Sequence, residues 1–379
     1  MTRTWPDGHD QRRLGHLHRR RCRPLLGQCS RRVLAREAQG ARDTPLRTLA
    51  LPGFPGIELF LKDESAHPTG SLKHRLARSL FLYALCNGRL VRGQGAIDAS
   101  SGSTAISEAW FARMLRVPFT AVMPETTAPG KIRELRKLGA RCELVGSDVD
   151  CTAMARAIAA RDHLCFLDQF GLAERATDWR GNNNIAESII GQMAAHGHPD
   201  PAWIVCGAGT GGTSATIGRY LRYRRMSTSL CVAEPTASAF VHGWNARRAG
   251  RCWDGAPVAE ATVIEGIGRQ RIEPGFVFDV VDAIVEVDDA ASIAHMRALE
   301  LRLGRRYGGS SGTNLAACLV LARRMRERGE RGSIVSLLCD RGERYAETLF
   351  DGRWLSAQGL ATPNPAPAGL PDAELPDPA

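Results

Sequence analysis

An α/β fold, with parallel sheets covered by helices on both faces, is what this 379-residue sequence predicts. Three observations predict it. From residue 57 to residue 338, short strand-like runs alternate with segments of helical period. Several of the strand-like runs are continuously apolar, as in Trp203-Ile204-Val205-Cys206, the pattern of strands buried on both faces. The length is roughly that of two or three domains, ample for a sizeable core.

The elements follow in order. Residues 57–61 read as a strand, and a helix over 70–85 follows the turn His67-Pro68-Thr69-Gly70. A strand over 95–99 leads to a helix over 104–115, opened by the capping residues Ser103 and Thr104. A strand over 118–123, a short helix over 131–138, a strand over 141–145 and a helix over 151–161 complete the first half. The second half reads helix 183–195, strand 202–206, helix 211–223, strand 230–233, strand 283–287, helix 290–305, helix 314–328 and strand 333–338. No internal repeat of fixed period is present. Residues 1–40 are Arg-rich without apolar periodicity and are expected to be a disordered extension, with an organelle-targeting segment as the alternative. Residues 351–379, rich in Pro and Ala, are expected to be a disordered tail.

Charge excludes one class of partner. The net charge is +10, but residues 1–50 hold twelve Arg, no Lys and four acids, a balance of +8. The remaining residues carry 38 basic and 36 acidic groups, so the folded part has no nucleic-acid surface to offer. No run approaches the ~18 apolar residues of a membrane helix. The eleven cysteines are scattered singly with no Cys-x-x-Cys pair, which argues for reduced core thiols in a cytoplasm and against a metal site.

Two stretches carry chemistry. Lys73 stands three residues beyond Pro68-Thr69-Gly70, at the mouth of an apolar helix. The macrodipole and uncapped N–H groups disfavour positive charge there, so such a lysine has a lowered pKa and is a better nucleophile than a solvated one. Amines of that kind form Schiff bases with carbonyl groups, pyridoxal phosphate included. The second stretch is Gly207-Ala208-Gly209-Thr210-Gly211-Gly212-Thr213, between an apolar strand and a helix. Four glycines in six residues exceed what a turn needs and suit an anion held by backbone N–H groups. Gly207, Gly209 and Gly212 satisfy G-x-G-x-x-G, with Glu234 about 22 residues on, so a dinucleotide reading stands beside a pyridoxal phosphate one. A P-loop is excluded, because Thr213 occupies the lysine's place.

Further segments resemble a family. Asp98-Ala99-Ser100-Ser101-Gly102-Ser103-Thr104 resembles the substrate loop of pyridoxal-phosphate enzymes of the cysteine synthase and cystathionine β-synthase group. Gly308-Gly309-Ser310-Ser311-Gly312-Thr313-Asn314 resembles their pyridine-nitrogen loop, and Asp340-Arg341-Gly342-Glu343-Arg344-Tyr345 their closing motif. With the lysine and glycine stretches, five motifs run in the family's order over residues 57–350. The resemblance implies a two-domain fold type II enzyme, similar to tryptophan synthase β. It places a smaller mobile domain at 67–175 and a larger cofactor-phosphate domain at 41–66 plus 176–350.

By position, the resemblance makes Lys73 the Schiff-base lysine and the base at the substrate Cα. It gives the phosphate to Gly209, Thr210, Gly211, Gly212 and Thr213, the pyridine nitrogen to Ser310, and the cofactor's edge to Gly266. Ser100, Ser101, Gly102, Thr104 and Gln169 would bind the substrate carboxylate. Ser103 stands where the synthases place an asparagine that holds the cofactor's ring oxygen. That departure, with the surrounding residues, resembles the L-cysteine desulfhydrase subgroup most. The implied activity is β-elimination of L-cysteine to sulfide, pyruvate and ammonia through an aminoacrylate. Cysteine synthesis from O-acetylserine is the alternative, an NAD(P)-dependent oxidoreductase a remote one, and a homodimer the implied assembly.

Overall fold

The computed structural model describes residues 27–40, 42–253, 255–259 and 261–360. Ten strands form two sheets among these residues. The larger has the order β1 (Leu46–Leu49), β2 (Ile57–Asp63), β10 (Gly332–Leu338), β7 (Trp203–Gly207), β8 (Ser229–Pro235), β9 (Ala283–Val287). Only the β1–β2 pair is antiparallel; the others are parallel, with Ser336 of β10 opposite Leu61 of β2 and Val205 of β7. The smaller sheet, β5 (Arg141–Val145), β4 (Phe119–Pro124), β3 (Ala96–Ala99), β6 (Cys165–Phe166), is parallel throughout.

Helices cover both faces of each sheet. Strand side chains alternate by face, so Leu59 and Leu61 pack with Leu315 and Cys318 of helix α11 (Gly309–Glu327), next to α10 (Asp289–Leu303). Phe60 on the opposite face packs with Ile189 of α7 (Ile185–Ala195), Ile217 of α8 (Gly212–Arg224) and Phe240 of α9 (Ala239–Arg248). In the smaller sheet Ala96 and Phe119 pack against α2 (Lys73–Cys86) and α3 (Ser103–Leu115). Its other face packs against Ile158 of α5 (Cys151–Arg161). The helices α4 (Pro129–Lys137) and α6 (Gln169–Ala176) complete this part.

The expected alternation is present, and strands 141–145 and 283–287 have the bounds their sequence predicts. The termini differ. Residues 27–40, expected to be disordered, form helix α1 (Gly27–Gly40), which buries Leu34 against the α2–α3 core. Residues 352–357 form α12 (Gly352–Ala357), with Leu355 fully buried beside Tyr345 and Leu349. The rest of both expected disordered segments, 1–26 and 361–379, lies outside the described residues. Helix α11 starts at Gly309 rather than Asn314. A Cβ on Gly309 would meet the Leu349 side chain at 2.8 Å and one on Gly312 would strike the Ser292 carbonyl of α10, so these glycines serve close packing, Gly312 that of two helices, rather than a turn.

Candidate active site

The chemistry-bearing residues gather at the carboxyl ends of strands, where open parallel sheets place their clefts. Ahead of α2 the chain turns through Gly70, at φ +70°. It is then sewn to the end of β10: Leu72 N–H donates to the Cys339 carbonyl (2.8 Å) and Arg341 N–H to the Gly70 carbonyl (3.0 Å). Lys73 is the first residue of α2, as expected of a lysine placed at a helix mouth. Its amine has no hydrogen-bond or ion-pair partner among the described residues. Burial lowers its pKa, against the opposing pull of Cys339, Asp340 and Cys206. Burial also raises both thiols, Cys339 to about 11, so neither offers a counter-charge at neutral pH. Lys73 is thus a partly buried amine whose surroundings favour its neutral form more than water does.

The glycine loop joins β7 to α8. Gly211 adopts φ +81° at the helix N-cap. A Cβ on Gly211 would lie 2.5 Å from Phe276 Cα, and one on Gly209 would overlap the Gly266 carbonyl oxygen. Among the described residues the amides of Gly209, Thr210, Gly211 and Thr213 donate to no acceptor, whereas Gly212 N–H bonds the Thr210 hydroxyl at 3.3 Å. The loop therefore presents free N–H groups at a helix N-terminus, a cradle for an anion. A cavity of about 70 Å³ is lined by Lys73, Thr210, Gly212 and Thr213, while Gly209 and Gly211 lie outside its lining.

Glu234 decides against a nucleotide ribose. Its carboxyl is fully buried and accepts from Ala208 N–H (2.7 Å), Ser238 hydroxyl (2.7 Å) and Gly268 N–H (3.2 Å). Burial outweighs these donors and raises its pKa to about 8. The residue ties the glycine loop to the Gly266–Gly268 segment and has no face left for a ligand.

The remaining candidates lie outside the lining of that cavity. Ser310 is buried in the first turn of α11, where it opposes the upward shift that burial imposes on the Cys339 thiol. Ser100 stands at the end of β3, and its hydroxyl, rather than those of Ser103 or Thr104, takes the amides of Gly102 (3.4 Å) and Ala105 (3.3 Å) at the start of α3. Ser101 and Gly102 are partly exposed and Thr104 is buried. Gln169 is fixed at both ends, its N–H on Asp98 (3.0 Å) and its amide on the Ala99 carbonyl (2.7 Å). Beneath this loop Glu108 is wholly buried with neither carboxyl oxygen hydrogen-bonded; desolvation and the Asp98 charge push its pKa well up.

Ser103 is committed in both directions: its hydroxyl donates to Asp340 (3.1 Å) and accepts from Arg344 (3.0 Å). Tyr345 donates to the same Asp340 oxygen at 2.7 Å, and the other Asp340 oxygen is buried without a donor. Asp340 as an individual site residue is missing from the sequence reading, which saw 340–345 only as a closing motif. Its pairing with Ser103 across 237 residues leaves no local trace.

Comparison with known proteins fits this geometry. A family model described as pyridoxal-phosphate dependent enzyme matches residues 38–340. The chain belongs to this family. It is 52% identical over 341 residues to L-cysteine desulfhydrase Cds1 of Mycobacterium tuberculosis, covering 89% of this chain and 91% of that one. A putative cysteine synthase of Sinorhizobium fredii is 28% identical over 335 residues, covering 84% and 91%. The solved structure of O-ureido-L-serine synthase superposes with a TM-score of 0.72 at 25% identity, over 84% of this chain and 98% of that one. Pyridoxal phosphate is the family's cofactor, and the residues present suit it: the unpartnered amine suits an aldehyde, and the free amides suit a phosphate.

Proposed function

We propose that this protein is a pyridoxal-phosphate-dependent carbon–sulfur lyase that converts L-cysteine and water to sulfide, pyruvate and ammonia. One observation carries the reading: Lys73, whose amine has no partner, lines the same cavity as Thr210 and Thr213 of the glycine loop, whose amides are free. The relative at 52% identity, named as an L-cysteine desulfhydrase, supports the choice of substrate over the synthases, which match at lower identity. Bound through its aldehyde, the cofactor supplies an electron sink for the carbanion at the substrate Cα.

The chain's own residues do the rest. Gly209, Thr210, Gly211, Gly212 and Thr213 would hold the phosphate, and Gly266 would line the cofactor's edge. The Ser310 hydroxyl would face the ring nitrogen, where a neutral group leaves the ring unprotonated and suits loss of a β-leaving group. Ser100, Ser101, Gly102, Thr104 and Gln169 would hold the substrate carboxylate. Lys73 would hold the cofactor's aldehyde and would take the substrate Cα proton. Its burial lowers its pKa and so favours the neutral, basic form. Ser103, held by Asp340 and Arg344, leaves the ring oxygen without the amide that a synthase supplies. In this reading residues 67–175 form the smaller unit, which moves against 41–66 plus 176–350, and the enzyme is a cytoplasmic homodimer. The free thiols of Cys165, Cys206, Cys231, Cys318 and Cys339 support a reducing compartment.

The test supplies L-cysteine alone and measures sulfide and pyruvate together. Equal release of the two is expected. Absence of pyruvate, with cysteine formed from O-acetylserine and sulfide, would replace the lyase by a synthase.

A further inference from the structure

Helix α1, which composition assigns to a disordered extension, reaches the site through a chain of hydrogen bonds. Glu37 on α1 meets His74 Nε2 at 2.9 Å, and His74 Nδ1 meets the Thr69 hydroxyl at 3.2 Å. The Ser107 hydroxyl lies 3.0 Å from that of Thr69 and 2.9 Å from the Ser103 carbonyl oxygen. Arg344 spans the same two places, donating to the Thr69 carbonyl at 2.6 Å and to the Ser103 hydroxyl at 3.0 Å. The direction of the chain is forced by its first member. Burial opposes ionisation of Glu37, but His74 and Arg78 outweigh it, so Glu37 is a carboxylate and can only accept. His74 Nε2 then carries the hydrogen, Nδ1 of the neutral ring accepts from Thr69, and Thr69 accepts from Ser107.

We propose that Glu37 and His74 are positioning residues for catalysis. Their directed chain locks the first turn of α2, which carries Lys73, against the first turn of α3, which carries Ser103 and follows the substrate loop. A protonated His74 turns Nδ1 from acceptor to donor and reverses the chain: Thr69 then accepts from His74 and donates to Ser107, whose hydrogen passes to the Ser103 carbonyl at the first turn of α3. The groups around His74 are Glu37 from α1, Arg78 on its own helix and His67, whose ring stacks at 4.8 Å; α3 presents the rings of Trp110 and Phe111. Burial, then His67 and Arg78, disfavour the imidazolium and outweigh Glu37, so the chain runs toward Glu37 at neutral pH and reverses in acid.

This inference rests on the proposed lyase reading, and its test separates the two. Wild type, Glu37→Ala, Glu37→Gln and His74→Gln holoenzymes are compared across pH in two assays: sulfide release from L-cysteine, and exchange of the Cα hydrogen of L-alanine in D₂O. The exchange needs Lys73 and the substrate loop but no leaving group. Glu37→Ala is expected to lower both rates about tenfold, the worth of one hydrogen bond to a charged group, while the visible cofactor band persists. Glu37→Gln keeps an acceptor and is expected to restore most of the rate. His74→Gln keeps a donor and an acceptor but cannot titrate, so the acid limb of the exchange profile is expected to flatten. That variant carries the test if Glu37→Ala does not fold. Unchanged exchange in Glu37→Ala, or an acid limb retained in His74→Gln, overturns the positioning role. If the wild type exchanges alanine but releases no sulfide, the substrate reading falls and the exchange data still decide the role of Glu37 and His74.

Discussion

A single methyl group at Gly209 should cost the enzyme its cofactor. The Cβ of an alanine there would overlap the Gly266 carbonyl oxygen and lie 3.1 Å from its carbon, where ordinary contacts begin near 3.4 Å. Both partners are backbone, so no side chain can swing away. Gly266 is itself held at φ +90° beside Gly268, which is pinned to Glu234. Overpacking typically costs 1–3 kcal/mol, and a clash between two backbones belongs at the upper end, about 3 kcal/mol. Spent on displacing the cradle, this weakens pyridoxal phosphate binding roughly 100-fold. The assay is a titration of apoenzyme with pyridoxal phosphate, followed by the visible band, with far-ultraviolet circular dichroism and the urea midpoint as checks on the fold. A folded Gly209→Ala protein that binds the cofactor within about threefold of wild type would refute the assignment of this loop to the phosphate.

Three further outcomes are expected. Ser103→Asn breaks the contacts to Asp340 and Arg344 and restores an amide; it should raise the ratio of cysteine synthesis to pyruvate formation when O-acetylserine and sulfide are supplied, and an unchanged ratio removes Ser103 from the choice of product. Lys62 is wholly buried with its amine on Asp43 (3.2 Å), the Thr44 carbonyl (2.6 Å) and Gln192 (2.7 Å), so Lys62→Met should lower stability by about 2 kcal/mol, read as a lower urea midpoint at constant slope. Burial opposes ionisation of Glu64, but Arg75 at 2.7 Å and His67 at 3.1 Å hold its carboxyl well below the usual range. Its contribution is therefore full above the unfolded pKa near 4.5 and lost as pH falls through the folded value, and Glu64→Gln should flatten the acid limb of the stability profile.

The sequence made the architecture legible because burial on both faces imposes continuous apolar strands, and these are visible without any long-range information. Lys73 and the glycine loop were legible for a similar reason: a lysine at a helix mouth and four glycines in six residues are local departures from ordinary composition. What stayed hidden was set by contacts between distant residues. The arginines of α1 masked a helix whose structure depends on seating Leu34 against α2 and α3. Gly312 in the first turn of α11 reads as loop, because the close approach of Ser292 and Met296 that calls for it comes from α10. Glu234 sits at the spacing of a ribose ligand, and only the fold shows its oxygens turned onto Ala208, Ser238 and Gly268. Ser103 was visible as a substitution, but its engagement by Asp340 and Arg344 was not.

The central claim is that Lys73 carries the cofactor and moves the Cα proton of L-cysteine. It is tested most directly by borohydride reduction of wild-type holoenzyme and of Lys73→Ala, with peptide mass analysis of the product and sulfide release measured on both proteins before reduction. The expected result is a pyridoxyl adduct on Lys73 in the wild type, and in Lys73→Ala neither adduct nor sulfide above background. An adduct on another lysine, or sulfide release by Lys73→Ala at a wild-type rate, would contradict it.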